Sequence, residues 1–322
     1  MFRGAELDSR RFSECASVLE LARCPRAVRS NAPMIRQTLL SLILGTASLA
    51  VAGQTLPESA KVGFFYAGCQ AYTFKAFDLM TALEKIAAAG GKTVEFFPGH
   101  LVSKADPKSK FDHNTTAEQR EPVKAKLKEL GLTPVGYGVV RLPNDEVECR
   151  KIFDFCKDMG VGLVVSEPAD DAFDLIEKLV KEYDIKMGIH NHPKKPLDRS
   201  YRYWDPEYVL SLVKDRDARM GSCADIGHWV RSGVRPTDAI KVLKGRIFDS
   251  HVKDLDAFGV REAKDMVWGT GQSDIPAVLN LYAEQGFMGP LDVEWEKDWE
   301  SSLPDVTKCL EFVKNFKPTT TK

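Results

Sequence analysis

Short apolar runs alternate with longer amphipathic stretches along the chain from residue 61 onward. In Asp170–Tyr183 and in Ser302–Phe316 the apolar residues recur every three or four positions, which is the spacing of one helix face. The short runs are rich in β-branched residues and have the length of buried strands. The eight strands predicted from these runs are Val62–Ala67, Thr93–Phe97, Thr133–Val139, Val161–Val165, Lys186–His190, Arg219–Asp225, Ile247–Val252 and Leu291–Trp295.

The regular alternation of strand and helix predicts parallel strands, because each helix carries the chain back to the starting edge of the sheet. Eight such rounds favour a closed (βα)8 barrel, the TIM barrel, over an open doubly wound sheet. The predicted single barrel domain spans residues 61–316. The polar, proline-containing stretch Lys104–His113 is predicted to be a surface loop. The motif Gly269-Thr270-Gly271 does not indicate dinucleotide binding, because it follows no predicted strand and lacks a third glycine.

The segment before the barrel has the three parts of a secretory signal. A basic start is followed by the apolar run Leu39–Ala52, of 14 residues, which ends in the small-residue cleavage site Ala50-Val51-Ala52. A membrane-spanning helix needs about 20 apolar residues, so a membrane anchor or a buried core helix is the weaker interpretation. Residues 34–52 are therefore predicted to be a cleaved signal peptide, and the protein to be secreted or periplasmic. Residues 1–33 are interpreted as a mis-assigned or disordered extension, with Met34 as the true start.

Charge and cysteine content exclude several classes of protein. The formal net charge of −1 differs from that of nucleic-acid-binding proteins, which carry a basic surplus. Neither a nucleic-acid partner nor stable membrane insertion is therefore expected. Cleavage after Ala52 would leave an odd number of cysteines without paired short spacings, which argues against a disulfide framework or a zinc knuckle. The cysteines that remain are predicted to be buried as small hydrophobic residues, and they are Cys69, Cys149, Cys156, Cys223 and Cys309.

Potential metal ligands fall at the ends of five consecutive predicted strands. In a barrel the carboxyl ends of the strands converge on one mouth, where active sites are found. Imidazole and carboxylate groups crowded there would lose hydration and repel one another unless a positive partner held them together. One divalent cation is the simplest partner, and mixed nitrogen and oxygen ligands suit Mn²⁺ first, with Mg²⁺, Co²⁺, Fe²⁺ or Zn²⁺ as alternatives. The polar residues at these strand ends are Glu167, His190, His192, Asp225, His228, His251, Lys253, Glu294 and Glu296.

Five motifs carry a further signal, namely Gly188–Pro193, Cys223–Trp229, His251–Asp254, Trp268–Gly271 and Val293-Glu294. Together they resemble those of the sugar phosphate isomerase/epimerase-like proteins, which have a xylose isomerase-like TIM barrel and belong to the AP endonuclease 2 superfamily. In such epimerases one metal ion is held by a glutamate of strand five, an aspartate of strand six, a histidine of strand seven and a glutamate of strand eight. By this resemblance Asp225, His251 and Glu294 match the last three ligands.

The first ligand position of that family differs in this chain. Where many members carry Glu-Asn at the end of strand five, this sequence has His190-Asn191. Two interpretations remain open. Either His190 binds the metal in place of the glutamate, or Glu167 from the neighbouring strand supplies the carboxylate.

The ligand set and the resemblance together imply proton transfer beside a carbonyl group. A metal ion that chelates a carbonyl and its neighbouring hydroxyl acidifies the intervening C–H and stabilises the enediolate, while a carboxylate or imidazole moves the proton. For Lys253 the alternative is a solvated surface position, and for Trp229 and Trp268 it is plain core packing. The predicted catalytic residues are Glu167, Glu294, His192 and Lys253, and the predicted substrate contacts are His228, Trp229 and Trp268.

The function expected first is a metal-dependent isomerase or epimerase acting on a small sugar or keto-sugar, and a homo-oligomer is compatible with the sequence. The same metal site would serve a lyase, dehydratase or keto-glycoside-cleaving enzyme, and export favours that alternative because phosphorylated sugars are scarce outside the cytoplasm. An abasic-site endonuclease of the same superfamily is disfavoured, since it needs further histidines, of which strands two and three offer only His100, and charge suited to DNA. A non-catalytic sugar-binding barrel is the remaining class.

Overall fold

The apolar runs form a closed barrel of parallel strands that is surrounded by helices. The computed structural model of the protein describes residues 55–103 and 105–319. The strands are β1 (Lys61–Val62), β2 (Phe65–Gln70), β3 (Thr93–Phe96), β4 (His100–Ser103), β5 (Asp106–Phe111), β6 (Thr133–Val140), β7 (Leu163–Ser166), β8 (Lys186–His190), β9 (Met220–Cys223), β10 (Ile247–Val252), β11 (Asp254–Leu255), β12 (Asp265–Met266) and β13 (Pro290–Val293).

Eight of these strands make up the barrel, in the order β2, β13, β10, β9, β8, β7, β6 and β3. Parallel pairing between β3 and β2, with Gly68 opposite Thr93, closes the ring. The predicted (βα)8 barrel is therefore confirmed. Strands β8 and β10 have the predicted bounds, and the other predicted strands are displaced by a few residues at their ends.

Helices connect successive barrel strands and pack their apolar faces against the outside of the barrel. The helix Phe173–Tyr183 buries Phe173, Ile176, Leu179 and Val180, the apolar positions that recur at helical spacing in the sequence. The helices are α1 (Leu79–Ala88), α2 (Ala117–Leu130), α3 (Glu146–Met159), α4 (Phe173–Tyr183), α5 (Pro206–Val213), α6 (Ile226–Arg231), α7 (Pro236–Val242), α8 (Ile275–Gln285) and α9 (Leu303–Asn315), with 3₁₀ turns at Glu58–Ala60 and Ala71–Phe74.

The first predicted strand, Val62–Ala67, is wrong in its bounds because a tight turn interrupts it. Gly63 has a φ of 69°, and β1 folds back antiparallel on β2 with Val62 opposite Phe65. A side chain at Gly63 would lie 2.7 Å from the carbonyl oxygen of Lys314, so the turn also needs the close approach that only glycine allows. The barrel strand proper therefore begins at Phe65.

The stretch Lys104–His113, which was expected to be a surface loop, contains a strand instead. β5 pairs antiparallel with β4, and His100 lies opposite Phe111. The polar composition of the stretch indicated a loop, but its Phe111 is fully buried, with its ring centroid 5.2 Å from that of Phe96. One buried aromatic residue is enough to hold this short hairpin against the barrel.

The predictions for residues 1–33 and for the signal peptide at residues 34–52 lie outside the described residues and stay predictions. Within the described ranges, no helix is both long and apolar enough to cross a membrane. The cysteines at positions 69, 149, 156, 223 and 309 are all buried and unpaired by disulfides, as the spacing predicted.

Candidate active site

The predicted polar residues meet at the mouth of the barrel because each follows or ends a strand. His190 is the last residue of β8, Glu167 follows β7 directly and Glu294 follows β13 directly. Asp225 lies two residues beyond β9, where its Oδ1 atom accepts the backbone N–H of His228 and caps helix α6. Parallel strands thus bring residues from distant parts of the sequence to one site.

A buried lysine lies at the centre of this site. The Lys253 side chain is 1% exposed, and its ammonium group contacts Asp225 Oδ2 and Glu294 Oε2. Burial alone would lower the pKa of Lys253, but the two carboxylates outweigh that effect and raise the pKa above its usual value. Lys253 is therefore a charged interior residue, and the alternative of a solvated surface lysine is wrong.

Four side chains around this lysine present potential metal-ligating atoms within 4.8 Å of one another, namely those of His190, Asp225, His228 and Glu294. Neither ring nitrogen of His190 has a hydrogen-bond partner, although the residue is only 1% exposed. Buried polar atoms without partners are rare, and two imidazoles with two carboxylates form a nitrogen and oxygen set that suits a divalent ion. The residues therefore fit a metal ion, for which the Lys253 ammonium would compete.

Glu167 anchors a second group of polar residues on the neighbouring strand ends. Its Oε1 atom lies 2.5 Å from His192 Nδ1 and 3.8 Å from His190 Nδ1, and it accepts a 2.6 Å hydrogen bond from the Tyr201 hydroxyl. Burial favours the neutral acid, but His190 and His192 more than offset it and hold the pKa of Glu167 well below its usual value. Glu167 is therefore an ionised carboxylate, the form that can accept a proton.

His251 occupies a deeper layer than the other candidate ligands. Its Nδ1 atom lies 3.2 Å from Glu294 Oε2, and its Nε2 atom lies 3.0 Å from Glu95 Oε2. Glu95, on β3, is fully buried and was missed by the sequence analysis. The signal that could have identified it is a lone charged residue inside the apolar run Thr93–Phe97. His228 therefore belongs to the central group of ligand atoms. His251 belongs to a separate group with Glu95, Cys223 and Asp249.

A cavity of about 490 Å³ opens beside these residues. Glu167, His192 and Glu294 line it, so three of the four predicted catalytic residues reach the space that a substrate would occupy. Lys253 lies directly behind Glu294. The remaining lining residues are Gln70, Tyr72, Phe97, Pro98, Val139, Val140, Arg141 and Glu296.

The two tryptophans proposed as substrate contacts lie in the hydrophobic core and do not line this cavity. Trp229 is 1% exposed and Trp268 is 2% exposed, which agrees with the core-packing alternative. The motif that follows Trp268 has a structural role, because the backbone N–H groups of Gly269 and Gly271 both donate to Asp254 Oδ2 at 2.8 Å. His228, by contrast, lies at the site, with its Nε2 atom 3.5 Å from Asp225 Oδ2.

The model of the xylose isomerase-like TIM barrel family matches residues 83–315 of the chain, which includes every strand end described above except that of β2. The chain belongs to this family. The structure of a putative uncharacterized protein from Parabacteroides distasonis is 31% identical, with a TM-score of 0.63, and the match covers 77% of this chain and 98% of that one.

Two further similar proteins have names that refer to an activity. An inosose dehydratase from Clostridium tetani is 29% identical over 141 residues, which are 38% of this chain and 44% of the dehydratase, so the match spans less than half of that relative. A D-tagatose 3-epimerase-like protein is 20% identical with a TM-score of 0.57, and the match covers 76% of this chain and 97% of that one. At that identity the epimerase-like protein supports the fold alone.

Proposed function

We propose that this protein is a divalent-metal-dependent isomerase or epimerase that moves a proton at the carbon beside the carbonyl group of a sugar. The observation that carries the proposal is the presence of two carboxylates, Glu167 and Glu294, on the wall of one cavity beside a buried group of metal-ligating side chains. Reversible proton transfer at carbon needs a base and an acid on the same substrate, and paired carboxylates supply both.

His190, Asp225, His228 and Glu294 would hold the metal ion, with His251 next to Glu294 as the further candidate from the family resemblance. When bound, a divalent ion such as Mn²⁺ would polarise the substrate carbonyl and make the neighbouring C–H more acidic. Carboxylate and imidazole donors without a thiolate at the centre favour Mn²⁺, Mg²⁺, Co²⁺ or Fe²⁺, and Zn²⁺ is also compatible.

The chain's own residues provide the proton transfer. Glu167 is held as an ionised carboxylate by its histidine neighbours and positioned by the Tyr201 hydroxyl, so it can take a proton from the substrate carbon. Glu294 faces the same cavity and can deliver to that carbon a proton that it first takes up from solvent. Lys253 does not line the cavity but contacts both Asp225 and Glu294, so it would position Glu294 toward the substrate.

Elimination on the same residues is the second candidate function. The inosose dehydratase relative favours it, because a dehydratase also begins by removing a proton from carbon. His192 is 46% exposed and lies against Glu167, where it could donate a proton to a departing oxygen. Export, if the predicted signal peptide is cleaved, adds support for a lyase acting on unphosphorylated glycosides. A non-catalytic sugar-binding barrel remains the alternative of another class.

The product formed in D₂O distinguishes these functions. An isomerase or epimerase is expected to give a product of unchanged composition that gains one solvent deuterium, measured by mass spectrometry after incubation with ketoses and keto-glycosides. A lyase is expected to give a product that has lost water or an aglycone. If no compound in the panel shows deuterium uptake or elimination, both enzymatic proposals are contradicted and the binding-protein alternative is favoured.

Glu95 is expected to orient His251 toward the metal site, because its carboxylate accepts a hydrogen bond from the far nitrogen of the imidazole ring. Replacing Glu95 with glutamine keeps the shape but removes the charge, and we expect Mn²⁺ to bind about 10–100-fold more weakly. Isothermal titration calorimetry measures this affinity, and Glu300→Gln at an exposed position is the matched control. Unchanged affinity in Glu95→Gln would contradict a role for the Glu95 carboxylate in orienting His251 toward the ion.

A further inference from the structure

The barrel mouth has two sides of opposite character. The ends of β7, β8, β9, β10 and β13 supply the carboxylates, imidazoles and lysine of the candidate active site. The ends of β2, β3 and β6 supply the mainly apolar residues Tyr72, Phe97, Pro98, Val139 and Val140 to the same cavity, together with the polar Gln70 and Arg141. The five mainly apolar residues are called here the apolar wall. The chemistry proposed above uses only the polar side, so the apolar wall needs a separate explanation.

Aromatic rings give the apolar wall a defined surface. Tyr72 and Phe97 pack edge to face with their ring centroids 5.3 Å apart, and both are only partly buried by the protein. Phe97 also stacks on His100 at 4.4 Å, which fixes its orientation from behind. Trp299 continues the aromatic group beyond Tyr72, at 6.5 Å between ring centroids. Partly exposed rings held in fixed orientations are typical of surfaces that bind another apolar or planar group.

The cavity offers little to a phosphate group. Among the described residues that line it, Arg141 is the one arginine or lysine, and it is exposed. The nearby Lys75 ammonium donates to the Tyr72 hydroxyl and lies 3.7 Å from the centroid of the Trp299 ring, so it is already engaged. Phosphate recognition relies on convergent arginine, lysine or backbone N–H donors. The lining instead contains the carboxylates of Glu167, Glu294 and Glu296, whose oxygens accept hydrogen bonds and offer a phosphate no donor.

The volume also exceeds the needs of a single sugar. A cavity of about 490 Å³ lies in the range of about 300–1,000 Å³ that is typical of sites for drug-sized ligands, which are larger than one monosaccharide. A sugar ring bound at the polar side would leave the region beside Tyr72 and Phe97 for a second group. That group would meet hydrocarbon and aromatic surface, so burial of its apolar area would stabilise the complex.

We propose that the substrate is an unphosphorylated keto-glycoside, whose sugar ring carries the carbonyl group and lies against Glu167, His192 and Glu294, and whose aglycone is an apolar ring, such as a phenol, that packs on the apolar wall. The placement of the sugar rests on the proposed function. The placement of the aglycone rests on the apolar surface of Tyr72, Phe97 and their neighbours. The proposal would be overturned if the apolar wall instead bound the C–H face of the sugar itself.

Matched ligand pairs separate these two arrangements without turnover. Isothermal titration calorimetry would compare phenyl with methyl glycosides of glucose, galactose and mannose, together with glucose 6-phosphate, on the Mn²⁺-loaded full chain. We expect at least one phenyl glycoside to bind about tenfold more tightly than its methyl partner, because the phenyl ring would bury its faces on Tyr72 and Phe97. Glucose 6-phosphate is expected to bind more weakly than that phenyl glycoside.

Substitutions then assign the effect to the apolar wall. Phe97→Ala, and the milder Phe97→Leu if the alanine variant folds poorly, is expected to remove most of the phenyl advantage and leave methyl-glycoside affinity unchanged. Phe258→Ala is the control, since Phe258 is 44% exposed and lies outside the cavity. Any of four results would overturn the proposal. Two concern affinity for the wild-type protein: equal binding of phenyl and methyl glycosides, or tighter binding of the sugar phosphate. The others are an equal loss of affinity for both glycosides in the Phe97 variants, and no measurable binding of any phenyl glycoside. Deuterium uptake without a phenyl preference would leave the proposed function intact.

Discussion

Replacing Asp225 or Glu294 with alanine is expected to abolish metal binding and to lower activity by about 10²–10⁴-fold. Each carboxylate offers an oxygen to the central group of ligand atoms, and each also contacts the buried Lys253 ammonium. A truncated side chain gives the cation no replacement charge. The proposed proton transfer by Glu294 would be lost as well in its variant, so the larger loss of activity is expected there.

Metal content measured by plasma mass spectrometry, together with activity on the substrate found in the D₂O experiment, tests this expectation. Asp215→Ala is the matched control, because that side chain is 86% exposed and lies outside the site. Circular dichroism would verify that the variants fold, since each leaves the buried lysine with one partner fewer. Full metal occupancy in both site variants would show that the ligands are assigned wrongly.

Replacing Lys253 with methionine is expected to destabilise the metal-free protein by about 3–5 kcal/mol and to tighten Mn²⁺ binding. The ammonium is the positive partner of Asp225 and Glu294 when no metal is bound, so its removal leaves two buried carboxylates close together. The same ammonium competes with a divalent ion for Asp225 Oδ2 and Glu294 Oε2. Without it, a divalent ion would be the main compensation for both charges.

Urea denaturation with and without Mn²⁺ measures both effects. The stabilisation by saturating Mn²⁺ is expected to be larger for Lys253→Met than for the wild-type protein, because a ligand that binds the folded state stabilises it in proportion to its affinity. Lys308→Met, at a side chain that is 59% exposed, controls for the substitution itself. Equal stability of the two metal-free proteins, or weaker Mn²⁺ binding in the variant, would contradict a competing role for the lysine.

The barrel could be predicted from the sequence because its strands are buried on both faces and appear as continuous apolar runs. The same feature located Glu167, His190, Asp225 and Glu294, since a polar residue directly after such a run must lie at a strand end. These predictions need only local sequence and the rule that parallel strands share one edge. They do not require knowledge of how any side chain is oriented.

Features that depend on side-chain direction were missed or misassigned. The contact between Glu95 and His251 joins residues 156 positions apart, and nothing local in either strand specifies it. Lys253 could be inside or outside the barrel from the sequence alone, and the structure places it between two carboxylates. Trp229 and Trp268 belong to motifs at the strand ends, yet both rings are buried in the core, where burial of their large apolar area stabilises the fold.

The apolar and polar sides of the barrel mouth come from different parts of the sequence. The apolar wall comes from the segment up to residue 141, and the metal-ligating group comes from residues 190–294. On the proposed function, one continuous stretch of the gene would encode affinity for the aglycone, and a later stretch would encode the chemistry. Because barrel units contact mainly their neighbours, exchanging the first three units between homologues would transplant specificity as a block. Recombination of these three units could then diversify the accepted glycosides while the other five stay under separate selection.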